Sequence, residues 1–154
     1  MSDRVLETIL IVEDDAADAA LLRRGFEKAK VLNPILHFAN GDDAFAYLAG
    51  AREYADRAKH PLPALILMDL KLPGMTGLQL LQWKRTQPEV RRIPVVVLTG
   101  DRQVSTVNAA YDLGANSYLV KPGNPADIVE MVRQIQEYWM ELNQAPKLVM
   151  RAQS

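Results

Sequence analysis

Polar residues with the means for phosphoryl chemistry interrupt this chain at the ends of its apolar runs. Glu13-Asp14-Asp15 follows the run Thr8 to Val12, and Asp69 closes the run Ala64 to Met68. Thr99 closes Pro94 to Leu98, and Lys121-Pro122 follows Ser117 to Val120. Carboxylates gathered in one pocket repel each other unless a cation sits among them. Carboxylate and carbonyl oxygens suit a hard divalent ion, and no imidazole or thiolate is placed to favour zinc, so magnesium is the expected ion. Beside it, Asp69 could attack a phosphoryl group as a nucleophile. Lys121 offers a point charge for one phosphoryl oxygen, and the Thr99 hydroxyl can donate a hydrogen bond to another.

This chemistry needs a scaffold that brings the run ends together. Five short apolar runs, the four above and Ile35 to Ala39, alternate with longer amphipathic stretches, the pattern of a parallel α/β sheet buried on both faces. Ligands of such sheets bind at the strand C-termini, where the strand order reverses. In the flavodoxin-like order 2-1-3-4-5, strands one and three are neighbours at that reversal, so Glu13, Asp14 and Asp69 converge.

Helices fill the gaps between the runs. Asp15 caps the first, in which Leu21, Leu22, Gly25, Phe26 and Ala29 recur at three- and four-residue spacing, and Asn33-Pro34 turns the chain into the second strand. A second helix is expected from about Asp42 to Leu48, and a third from Gly77 to about Thr86 with Leu78 and Leu81 inward. A fourth ends at Gly114, and the last opens with Asn124 as cap and Pro125 at the first helical position. Its apolar stripe, Ile128, Met131, Val132, Ile135, Tyr138, Trp139 and Leu142, is long for a small domain, so part of it is expected to be exposed. The segment 49–63 exceeds an ordinary αβ connection and reads as a surface insertion with a short helix of its own.

With 154 residues, 49% of them hydrophobic, the chain is the size of one ordinary domain. Residues 1–7 read as an extension, 8–143 as the domain and 144–154 as a frayed tail. Eighteen basic residues against 19 acidic leave a net charge of -1, which gives no pull toward nucleic acid or anionic lipid. With no cysteine there is no disulfide framework, thiolate metal site or thiol nucleophile. Neither a signal core nor a membrane-spanning run is present, so a cytoplasmic location is expected and membrane insertion is not.

Taken together these residues resemble the response-regulator receiver domains of two-component signalling, over Thr8 to Leu142. Ile9-Leu10-Ile11-Val12-Glu13-Asp14-Asp15 is similar to the family's acidic motif, and the segment from Asp69 to Gly77, Asp-Leu-Lys-Leu-Pro-Gly-Met-Thr-Gly, to its phosphoacceptor loop. Val95 to Gly100 and Tyr118-Leu119-Val120-Lys121-Pro122 complete the set. The resemblance implies the five-stranded receiver fold with helices on both faces. It also implies phosphorylation of Asp69 by a histidine kinase, and magnesium held by Glu13, Asp14, Asp69 and the Lys71 carbonyl. By the same resemblance Thr99 and Tyr118 form the switch pair, and Gly100 keeps the acceptor accessible. The insertion near Tyr54, the Leu98-Thr99-Gly100 run and the Tyr138-Trp139 helix resemble single-domain receivers that partner phytochrome-type histidine kinases. Such a chain would dephosphorylate only its own aspartate, and would signal by reshaping its own surface, with a homodimer through helix four, strand five and helix five as the expected form.

Simpler readings exist for each residue taken singly. Asp15 is a helix cap, and His37 and His60 are ordinary strand and loop residues. Trp83 and Trp139 are packing groups, and the pairs Arg23-Arg24 and Arg91-Arg92 are solvated. A flavin or nucleotide domain of this topology would need a Gly/Ser/Thr-rich anion loop where the three acids stand. In phosphatases that work through an aspartyl intermediate, a second aspartate commonly stands two residues after the nucleophile; Lys71 occupies that position here.

Overall fold

The computed structural model describes residues 6–148. Most of the expected extension (1–5) and the end of the expected tail (149–154) lie outside the described residues. The elements run β1 (Ile9–Val12), α1 (Ala16–Lys28), β2 (Ile35–Phe38), α2 (Gly41–Ala49), β3 (Leu65–Met68), α3 (Gly77–Lys84), β4 (Val95–Thr99), α4 (Val104–Asp112), β5 (Ser117–Val120) and α5 (Pro125–Gln136). All strand pairs are parallel and the order is 2-1-3-4-5, as expected. No helix among the described residues is long and apolar enough to cross a membrane.

Strands β1, β3 and β4 are buried throughout because helices cover both faces. Side chains alternate across the sheet, so successive residues feed different cores. Leu10, Val12, Ile66, Met68, Val95 and Val97 pack with α2, α3 and α4. Ile9, Ile11, Leu65, Leu67, Val96 and Leu98 pack with α1 and α5 through Leu22, Phe26, Ile128, Val132 and Ile135.

The caps follow the sequence logic. Asp15 accepts from the Asp18 N–H, and Asn124 accepts from the Ala126 N–H ahead of Pro125. Gly114, one residue beyond the Leu113 cap of α4, takes a left-handed φ of +104°.

Two details differ from expectation, the inward face of α3 and the docking of the tail, and two bear it out, the short helix of the insertion and the partial exposure of the α5 stripe. On α3 the inward residues are Leu80, Leu81 and Lys84, while Leu78 is only half-buried, because Lys84 takes a core-side position and sends its ammonium 3.1 Å to the Arg91 carbonyl. The 49–63 insertion carries one 3-10 turn, Arg52–Ala55. It is anchored by Arg57, whose guanidinium donates to the Tyr47 and Leu48 carbonyls at the end of α2. The apolar stripe of α5 divides, since the chain continues into a π-helical turn over Glu137–Leu142. Trp139 packs on the α1/α5 core, while Tyr138 and Leu142 stay exposed. The expected frayed tail is docked as far as residue 148, with Arg92 donating to the Lys147 carbonyl and Leu148 lying against the α2/α3/α4 core.

Candidate phosphoacceptor and metal site

Glu13 and Asp69 begin where their strands stop. Val12 and Met68 are partners in the β1/β3 ladder, so the next residue of each strand emerges on the same edge. The Asp69 N–H donates to the Val12 carbonyl at 3.0 Å, and the Glu13 N–H donates to the Phe38 carbonyl at 3.0 Å. Both backbones are thereby tied to the sheet. Carboxylate oxygens of Glu13, Asp14 and Asp69 all lie within 4.8 Å of one another, the convergence expected at the reversal of strand order. Glu13 and Asp69 are buried; Asp14 is exposed and lines an open groove with Lys71, Pro73 and Asp101.

The Lys71 N–H donates to Asp69 Oδ1 at 3.1 Å, which orients the carboxylate from the loop that follows it. That loop ends at Thr76, which caps α3 reciprocally with Gln79. Gly77 opens α3 so close to Asp69 that a Cβ there would lie 2.7 Å from the Asp69 carbonyl oxygen.

Lys121 reaches the acids from the end of β5, positioned by its own N–H donating to the Thr99 carbonyl at 2.8 Å. Its Nζ lies 2.5 Å from Glu13 Oε1 and 2.7 Å from Asp69 Oδ2. Burial pushes the Glu13 carboxyl up to about 7, against the pull of Lys121. Burial also opposes the charge on Lys121, but hydrogen bonds to Asp69, Glu13 and Asp18 outweigh it and hold the ammonium above its ordinary value. Lys121 is therefore the charged partner at neutral pH, and Glu13 is the member of the pair that titrates.

Thr99 is buried, and its Oγ1 accepts weakly from the Asp101 N–H at 3.4 Å. Tyr118 packs half-buried against the α4-side core, and its hydroxyl donates to the Asp101 carbonyl at 2.5 Å. Thr99 and Tyr118 thus meet on opposite ends of one residue, Asp101.

Glu13, Asp14, Asp69, Lys71, Thr99 and Lys121 lie on this edge, and Tyr118, within β5, reaches toward it through its hydroxyl. Two contributors escaped the sequence. Asp18, on the first turn of α1, is a third carboxylate on Lys121 at 2.9 Å. His37 turns its Nε2 to the Glu13 carbonyl at 2.7 Å, a role hidden because its partner is main chain. Asp18 had a sequence signal, an acid one helical turn beyond the motif, but helix-dipole preference explains that position equally well.

The donor set fits a divalent ion: three carboxylates, hard oxygens, one of them accessible from solvent, with no nitrogen or sulfur ligand in the cluster. Comparison with known proteins agrees. "Response regulator Rcp1" of Synechocystis sp. (strain ATCC 27184 / PCC 6803 / Kazusa) is 36% identical over 135 residues, covering 88% of this chain and 90% of its own length. The structure of the phosphorylated cyanobacterial phytochrome response regulator RcpA superposes with a TM-score of 0.87 at 32% identity, covering 93% of this chain and all (100%) of that one. The Mn(2+)-bound form of Rcp1 superposes with a TM-score of 0.84 at 35% identity, covering 92% of this chain and 99% of that one. Residues 9–133 match the family profile described as the response regulator receiver domain, and with the fold and the acidic edge already in place, this chain belongs to that family.

Proposed function

We propose that the chain is a single-domain response regulator that accepts a phosphoryl group from a histidine kinase on Asp69. The observation that carries this is Asp69 itself, buried at the strand edge with Lys121 Nζ at 2.7 Å and two further acids beside it. In the transfer, an Asp69 carboxylate oxygen forms a bond to phosphorus as the phosphorus–nitrogen bond of a phosphohistidine breaks. The electron pair of that bond returns to the imidazole.

Lys121 neutralises one oxygen of the transferred group, and Thr99 Oγ1 leaves Asp101 to donate to another. Glu13, Asp14, Asp69 and the Lys71 carbonyl would hold magnesium, which would supply neutralisation of the remaining phosphoryl charge. Movement of Thr99 frees the Asp101 N–H and disturbs Asp101, whose carbonyl the Tyr118 hydroxyl holds, which carries the change to β5. The chain acts as no enzyme toward external substrates; its chemistry is gain and loss of the phosphoryl group on its own aspartate, in the cytoplasm.

The kinase is of bacteriophytochrome type, a partner supported by the likeness to RcpA, a phytochrome response regulator. The output surface is the α4–β5–α5 face, where Val104, Tyr111, Tyr138 and Leu142 are exposed, and it serves a homodimer. The test is timed transfer from a phosphorylated, phytochrome-type kinase to this chain and to an unrelated receiver. Faster transfer to this chain supports the pairing, and equal rates oppose it.

A further inference from the structure

Three carboxylates serve the Lys121 ammonium, and one of them stands apart from the acidic cluster. Nζ lies 2.5 Å from Glu13 Oε1, 2.7 Å from Asp69 Oδ2 and 2.9 Å from Asp18 Oδ2. An ammonium has three N–H donors, so each finds an acceptor. Glu13 and Asp69 also belong, with Asp14, to the group whose oxygens lie within 4.8 Å of one another. Each of those two can therefore serve either the ammonium or a divalent ion. Asp18 lies outside that group, on the first turn of α1, and serves the ammonium alone.

The consequence follows from charge. A cation pocket that already contains an ammonium binds a second cation poorly unless the ammonium is drawn aside and its charge offset. Of the three partners, Asp18 alone stays wholly with Lys121 when Glu13 turns to the ion and Asp69 divides its two oxygens between the ion and the ammonium. Lys121 has only 15% of its side chain exposed, so water is a poor substitute for that partner.

We propose that Asp18 is a positioning residue for Lys121: it holds the ammonium clear of the divalent ion while keeping it at the Asp69 oxygen. The proposal rests on reading Glu13, Asp14 and Asp69 as ion ligands, and adds an acid that acts on ion binding without touching the ion. Two simpler roles for Asp18, a favourable charge at a helix N-terminus and a contribution to the general negative field, both operate without Lys121. Dependence on Lys121 is what separates them from positioning.

The experiment is calorimetric titration of magnesium into the full chain and into Asp18→Asn, Lys121→Met and the double variant, with far-UV circular dichroism confirming that all four are folded. Asp18→Asn is expected to weaken magnesium binding about threefold to tenfold when Lys121 is present, and by less than about twofold in the Lys121→Met background. An equal loss in both backgrounds, or no loss with Lys121 present, overturns the assignment of Asp18 and leaves the ion site standing. Absence of saturable binding by the unaltered chain overturns the ion site, and the assignment with it.

Discussion

His37 Nε2 donates to the main-chain carbonyl of Glu13 at 2.7 Å, so an edge strand braces the acidic turn from the side opposite Lys121. Replacing the ring by phenylalanine leaves that carbonyl without its partner. His37→Phe should fold, lose about 1 kcal/mol of stability and bind magnesium up to about tenfold more weakly, as loss of an outer partner does at other metal sites. Chemical denaturation and calorimetry read the two effects; unchanged magnesium affinity would remove His37 from the site.

Gly77 is the point where α3 meets the loop that follows Asp69. A methyl group there would sit 2.7 Å from both the Asp69 carbonyl oxygen and the Leu70 Cα, and main chain yields less readily than a side chain. Gly77→Ala should cost about 1–3 kcal/mol and slow phosphorylation by acetyl phosphate through displacement of the loop. A variant as stable and as fast as the unaltered chain would show that the loop adapts freely.

Lys84 predicts a pH effect far from the acids. Burial lowers its amine to about 8 from 10.5, so the unfolded chain binds more protons between those values and folding stability rises with pH across that window. At neutral pH the lysine is charged in both states and the full cost of burial applies. Lys84→Met should therefore be more stable than the unaltered chain at pH 7, by on the order of 2 kcal/mol. The gap should close toward pH 10.5. Denaturant melts at several pH values measure it, and a gap independent of pH would contradict the argument.

The same residue shows where sequence reading stopped. The strands and the acids at their ends were legible because β1, β3 and β4 are uninterrupted apolar runs, and a carboxylate after such a run stands out. Strand limits shifted by one residue: β1, β3 and β4 begin one residue after the expected start, β2 ends one residue before the expected end, and β4 takes in Thr99. On α3 the inward face was misplaced because a lysine occupies part of it, and hydrophobic spacing cannot register a buried amine. His37, Arg57 and Arg92 bind main-chain carbonyls, which have no signature in residue type. Asp18 meets Lys121 across 103 residues, a contact that only the fold discloses.

The division of the α5 stripe sharpens the interface prediction. Trp139 serves the domain's own core, so the exposed Tyr138 and Leu142 are the residues that the proposed homodimer would use. Sedimentation should show a larger dimer fraction after acetyl phosphate treatment. Leu142→Asp should abolish the increase, because an unpaired carboxylate is costly to bury. A monomer in both phosphorylation states would point to a separate partner protein.

Asp69 as phosphoacceptor is the centre of the account, and intact-mass spectrometry after incubation with acetyl phosphate and magnesium tests it most directly. The unaltered chain should gain the mass of one phosphoryl group, lose it again on standing, and gain nothing when the ion is chelated. Asp69→Asn, nearly the same shape but without the nucleophilic carboxylate, should stay unmodified under every condition. A phosphoryl group appearing on Asp69→Asn to the same extent would place the acceptor elsewhere and contradict the account.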